Sequence, residues 1–288
     1  MTLFILISCS ARQEYASHEW IPETEPQEFF QEGLLSPRGF LPHEDGFVVA
    51  DADSILFITG TDTHTLISNI NTPDELVPFH ENEIFYSTTT GIGTINLNSN
   101  SFTTLHETAS TPTAITFHNE ILYWIVEGMV FSDEQLDPIC TDIETAYDLH
   151  FWNDILWISD QNSKSLWTFD GFDCSLAHTL DTIPHKITSN DESLWVTTRS
   201  SRWPYGGWIL ALQNGSLNKR TQSPPEPEDI IIWQDTVFWS SKQSITSFVQ
   251  EPYEMEALQA RVSHMLIHEN ILYWSDPQGG RIGLLELE

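Results

Sequence analysis

Short apolar runs with β-branched and aromatic residues recur along most of the chain, separated by Gly, Asp, Asn and Pro. The pattern predicts strands and turns. The clearest run is His118-Asn119-Glu120-Ile121-Leu122-Tyr123-Trp124, which returns as His268-Glu269-Asn270-Ile271-Leu272-Tyr273-Trp274. Comparable aromatic strands open at Gly46, Glu83, Ile121, Ile155, Ser193, Thr236 and Ile271, with spacings of 37, 38, 34, 38, 43 and 35 residues. No 3.6-residue period competes with this reading beyond the N-terminal segment.

Seven copies of a unit of about 38 residues match the length of a four-stranded propeller blade. Each unit opens on a turn rich in Pro, Thr or Ser. An inner strand follows, such as Ala114–Phe117 or Asp229–Trp233, and then the aromatic strand. A third strand (Gly93–Leu97, Ser165–Phe169, Trp208–Leu212) and a more polar fourth (Phe102–His106) complete the unit. The last unit stops after Arg281–Leu285. Sliding residues 29–43 forward by 75 positions places Glu32 on Glu107, Pro37 on Pro112 and His43 on His118. Residues 27–31 are therefore expected to supply the missing outer strand, and Arg38–Pro42 the first inner strand. The fold expected is all-β: a seven-bladed β-propeller closed by its own N-terminal strand, with six or eight blades as alternatives. Closure removes the open edges that invite aggregation.

The aromatic strands, above all Tyr273-Trp274-Ser275-Asp276 and Trp157-Ile158-Ser159-Asp160, resemble the YWTD-type propeller repeat, and the whole has the look of a TolB-like propeller. The resemblance covers residues 27–288 as a pattern and is strong in three or four units. It implies a binding module, since such propellers are largely that. Related propellers include lactonases and dehydrogenases, so the fold alone does not decide function.

Residues 1–9 form an apolar run closing on Leu6-Ile7-Ser8-Cys9, which looks like a bacterial lipobox with Cys9 as the lipidated residue. The run is short and no Lys or Arg precedes it; a start codon placed too far downstream would account for both. Plain secretion is the alternative. Residues 10–26 are expected to be a tether, and 27–288 the propeller. The protein is thus expected at the bacterial cell envelope, on the outer membrane or surface, membrane-bound through its lipid only, and monomeric.

Composition narrows the partners. The 42 acidic against 11 basic residues give a net charge of -31, which repels nucleic acid and anionic lipid surfaces. The acids are dispersed among apolar strands, and 11 Trp and 16 Phe supply a core, so the charge does not signal disorder.

Candidate chemistry is sparse. Eight of the 11 basic residues fall on one set of loops or beside it: Arg38, Lys164, Lys186, Arg199, Arg202, Lys242, Arg261 and Arg281. The longest of these loops, Arg199–Gly207, adds Trp203 and Tyr205 to Arg199 and Arg202. With Arg38 and Arg261 these residues form the expected site for a protein or an anionic or aromatic ligand. The alternative is that such loops simply carry charge. An enzymatic reading, a hydrolase or lyase working in the central channel with or without a metal, would draw on Asp74, Glu75, Asp148, His185, Asp229 and His264.

His43, His80, His118 and His268 occupy one repeat position and read as turn-capping residues, since neighbouring blades set them too far apart for a metal sphere. No cofactor or resident metal is expected. Cys140 and Cys174 each lie 19 residues after their unit's anchor. Equivalent outer positions on splayed blades predict two unpaired thiols, with a disulfide as the alternative.

Overall fold

The computed structural model describes residues 28–60, 62–135, 137–201, 206–222, 227–241, 244–248, 257–258 and 262–287. They form seven antiparallel sheets. Blade one is Pro37–His43, Gly46–Asp51, Ser54–Thr59 and Asp62–Ser68, in that spatial order. Blades two, four, five and six repeat the arrangement. Blade seven takes three strands from the C-terminal stretch and its outer strand, Glu28–Glu32, from the other end of the chain. That strand pairs Glu28 with Leu284 and Glu32 with Arg281. The seven-bladed propeller and its permuted closure are as the repeat spacing predicts. No helix among the described residues is long and apolar enough to cross a membrane.

The aromatic strands are buried on both faces, so alternate side chains feed two different cores. In blade three, Tyr123 and Ile125 pack toward blade four. Leu122, Trp124 and Val126 pack toward blade two. The same division in every blade gives seven apolar clusters, one between each adjacent pair. A buried aromatic or aliphatic side chain contributes about 1.5–3 kcal/mol, so these clusters are the main adhesive of the ring.

The repeated His-Asn-Glu and His-Glu-Asn stretches now have a backbone reason. Asn119 and Glu120 have φ of 49° and 65°, and Glu269 and Asn270 have 51° and 63°. Two consecutive positive φ values make the tight hairpin turn whose twist matches its strands. The residue before that turn stitches neighbouring blades. His118 stacks on Phe151 at 4.1 Å and its Nε2 lies 3.2 Å from Asp154 Oδ1. Trp152 Nε1 donates to Asn190 O at 2.9 Å.

Blade three departs from the repeat: it has three paired strands among the described residues. Residues 133–135 and 137–145 instead form a loop that buries Cys140 and Ile143 in the cluster shared with blade four. This overturns the expectation of unpaired thiols. Cys140 and Cys174 are joined by a disulfide, with Cα atoms 5.6 Å apart. Cys174 begins an outer strand as expected, but Cys140 is not on one, and the inward turn of its loop brings the sulfurs together.

Candidate functional site

The inner strands line the channel, and one equivalent position in or just before each defines a ring of residues. Around blades one to seven it reads Gly39, Glu75, Ala114, Asp148, Lys186, Asp229, His264. All seven border a single cavity of about 160 Å³, with Leu76, Ile115, Leu149 and Ile187 among its other walls.

Backbone geometry sets the ring. In blades four, five and six the inner strand is bulged at this point. The amide that leaves the ladder is satisfied by a hydroxyl on the second strand. Asp148 N donates to Ser159 Oγ at 3.1 Å, Lys186 N to Thr197 Oγ1 at 3.0 Å and Asp229 N to Ser240 Oγ at 3.0 Å. Glu75 N and His264 N find Ser87 and Ser275 in the same way. Two of these hydroxyls then donate onward to the next blade, Ser159 to His185 O and Ser275 to Arg38 O.

Each ring carboxylate also clasps the following blade. Glu75 Oε2 accepts from Ile115 N, Asp148 Oδ2 from Ile187 N and Asp229 Oδ2 from Met265 N, all at 2.7 Å. Blade one uses its backbone: Gly39 N donates to Asp74 O at 2.8 Å. A Cβ at Gly39 would lie 2.3 Å from that same oxygen, so this close approach demands glycine.

Lys186 is the electrostatic centre. Its Nζ donates to Asp148 Oδ1 at 2.9 Å and stands 3.6 Å from Glu75 Oε1. Burial opposes its charge, but Asp148, Glu75 and Asp229 outweigh that and hold the ammonium protonated well above its usual range. Burial pushes Glu75 up to about 7, against the pull of Lys186. Burial also raises Asp148, again opposed by Lys186. Asp229 is the exception. Burial works against its charge, yet His264, Lys186 and the Met265 amide together hold it below the usual carboxylate range. His264 Nδ1 lies 3.4 Å from Asp229 Oδ2.

Of the channel residues singled out from sequence, Glu75, Asp148, Asp229 and His264 meet in this ring. Asp74 and His185 each stand one residue before a ring position and do not line the cavity. Asp74 pairs with Arg38 at 3.6 Å, and His185 packs on the Tyr147 ring at 4.2 Å. Of the expected ligand-binding residues, Arg199 reaches across to blade four and donates to Gln161 Oε1 at 3.0 Å. Arg202, Trp203, Tyr205, Arg261 and the lipidation candidate Cys9 lie outside the described residues. Sequence reasoning counted Lys186 among the loop cations and missed it as the hub. The signal was available: each titratable ring residue except Glu75 precedes a Ser or Thr of the second strand by 11 residues.

The molecule is a seven-bladed β-propeller with a mixed-charge ring across its channel. No protein-family model matches the chain, and no curated protein matches it. Solved propellers do. The extracellular domain of BT4673 from B. thetaiotaomicron superposes with a TM-score of 0.75 at 9% identity, over 90% of this chain and 39% of that one. The WD40 propeller of Doa1 gives 0.69 at 7% identity, over 92% and 98%. The computationally designed Ika8 gives 0.64 at 11% identity, over 91% and 100%. Likeness at these identities shows the fold alone.

Proposed function

We propose that this protein is an exported binding module whose ligand or partner meets the face where the channel opens, with the charged ring as the floor of the site. The observation that carries the reading is the convergence of Glu75, Asp148, Lys186, Asp229 and His264 on one cavity of about 160 Å³. Three carboxylates face one ammonium there, within a chain of net charge -31. The site therefore favours uncharged or cationic groups and disfavours anions. This shifts the expected ligand away from the anionic class, because Arg38 and Arg199 are both engaged by neighbours.

A thermal-shift screen of small amines, alcohols and carboxylates tests the sign. Amines or alcohols should raise the melting temperature saturably, and Glu75→Gln should weaken the amines. A saturable shift from carboxylates alone would reject the reading.

Export is supported by the Cys140–Cys174 disulfide, which suits an oxidising compartment. The Cys9 lipid anchor is proposed on the sequence motif. Metabolic labelling with a fatty acid should mark the full chain and fail on Cys9→Ala.

A second reading, acid–base catalysis in the channel, rests on the Asp229–His264 pair beside a Glu75 that is half protonated near neutrality. His264→Gln and Glu75→Gln should each abolish any hydrolytic or lyase activity found in a substrate panel. An activity indifferent to both would place the chemistry elsewhere.

A further inference from the structure

Blade three closes its sheet by covalent means where its neighbours use a fourth strand. Its last paired strand is Met129–Ser132, joined to the aromatic strand by a tight turn at Glu127 and Gly128, both with positive φ. Val126 faces Met129 across that turn, so the outward-pointing backbone groups belong to Val130 and Ser132. Residues 133–135 and 137–145 form a loop that takes the place of a fourth strand, none being paired there among the described residues. Ile139 N donates to Val130 O at 2.8 Å, Gln135 N to Ser132 O at 3.4 Å and Ala146 N to Gly128 O at 2.8 Å.

That cover carries an internal opposition. Ile139, Cys140 and Ile143 pull it onto the core between blades three and four. Asp133, Glu134, Asp137, Asp142 and Glu144 are exposed on the same stretch, which contains no Lys or Arg. Five carboxylates without a local counter-charge repel one another and favour an expanded loop. At its far end the loop is pinned by Asp160, whose carboxylate accepts from Glu144 N and Thr145 N at 3.0 Å. Near its middle the covalent tie to blade four is Cys140–Cys174.

We propose that this disulfide is a redox latch. Oxidised, it holds the loop over the edge of blade three; reduced, it lets the loop lift and bares the outward backbone groups of Val130 and Ser132. Closing is ordinary thiol–disulfide exchange. One cysteine thiolate attacks a disulfide oxidant, forming a mixed disulfide and releasing one oxidant thiolate; the other cysteine then attacks the protein sulfur of that mixed disulfide, closing Cys140–Cys174 and releasing the second. Two electrons pass to the oxidant, which leaves as two thiols. A dithiol reductant reverses the step. A chain folded under reducing conditions thus has a ring that is complete but unlatched, and meeting an oxidant seals the edge that would otherwise pair with another strand.

The test is amide hydrogen exchange on the full chain carrying Cys9→Ser, oxidised and after treatment with a dithiol. The oxidised protein should show no free thiol and a protected Ile139 amide. Reduction should expose two thiols and speed exchange at Ile139 about 100-fold or more, while the inner and second strands of blade six keep their protection. Cys140→Ser/Cys174→Ser should reproduce the reduced pattern without a reductant. If that variant fails to fold, the reduced wild-type chain still gives the reading. Unchanged exchange at Ile139 on reduction would overturn the latch, as would two free thiols in protein kept in oxidising buffer.

Discussion

Glu75 and His150 tilt stability with pH in opposite directions. Glu75 keeps its proton up to about pH 7 in the folded ring against 4.5 ordinarily. Between these values the unfolded chain has released a proton that the folded chain retains, so stability falls as pH rises through that window. Glu75→Gln should flatten the fall in urea-melt stability from pH 5 to 8; equal slopes would mean the carboxyl is ionised throughout. His150 is half-buried against Ser189 Oγ at 2.8 Å, and desolvation lowers it to about 4 from 6.5. Here the unfolded chain binds the extra proton, so stability falls as pH drops from 6.5 toward 4. His150→Gln should lessen that acid loss. Lys186 is the residue whose removal should hurt most. Lys186→Met leaves three carboxylates facing one another and should cost about 3–5 kcal/mol at neutral pH. The cost should shrink toward pH 5, as Glu75 takes up a proton. A pH-independent loss would instead point to packing.

At the scale of the element, the aspartate ending the aromatic strand organises the turn that enters its own blade. Asp160 is fully buried, and its oxygens accept from Glu144 N and Thr145 N. Asp51 does the same for Leu35 N and Ser36 N, whereas Asp276 turns to Gly279 N and Arg281 Nε. Asp160→Ala should therefore cost about 1.5–3 kcal/mol, read as a shifted denaturation midpoint. Asp160→Asn should restore part of it. The aromatic strands were legible because a strand buried on both faces writes itself as an unbroken apolar run, as in Ile121–Val126. The inner strands were legible by position, since their hairpin turns fix them two residues upstream. The ring was half legible. Glu75, Asp148, Asp229 and His264 stand out as polar residues in apolar strands, but the crossing of Lys186 to Asp148 and Glu75 joins residues 38 and 111 positions apart. The disulfide was not legible, because Cys140 and Cys174 look equivalent by count. Only the loss of one strand, which shortens the spacing from Ile121 to Ile155 by just a few residues, makes them meet.

At the scale of the whole molecule, seven interblade clusters make a ring whose last contact is between chain ends far apart in sequence. Phe30 sits 4.9 Å from Phe47 of blade one and 5.9 Å from Tyr273 of blade seven. Residues 28–32 therefore close a sheet and also fill the joint between blades seven and one. Deleting residues 1–32 should lower the melting temperature and leave Arg281–Glu286 as an open edge. Concentration-dependent association by light scattering should follow. A truncated chain that stayed monomeric with an unchanged melting temperature would show that the ring holds without its clasp.

That same clasp determines how the molecule would bear load. A pull on the chain ahead of Glu28 arrives first at the outermost strand of blade seven, whose backbone bonds to Arg281–Glu286 lie between the pull and the rest of the disc. Tension would be taken up first by this short row of bonds and by the Phe30 contacts in the joint with blade one, ahead of the channel ring. The seam is thus the first part of the disc to meet such a load.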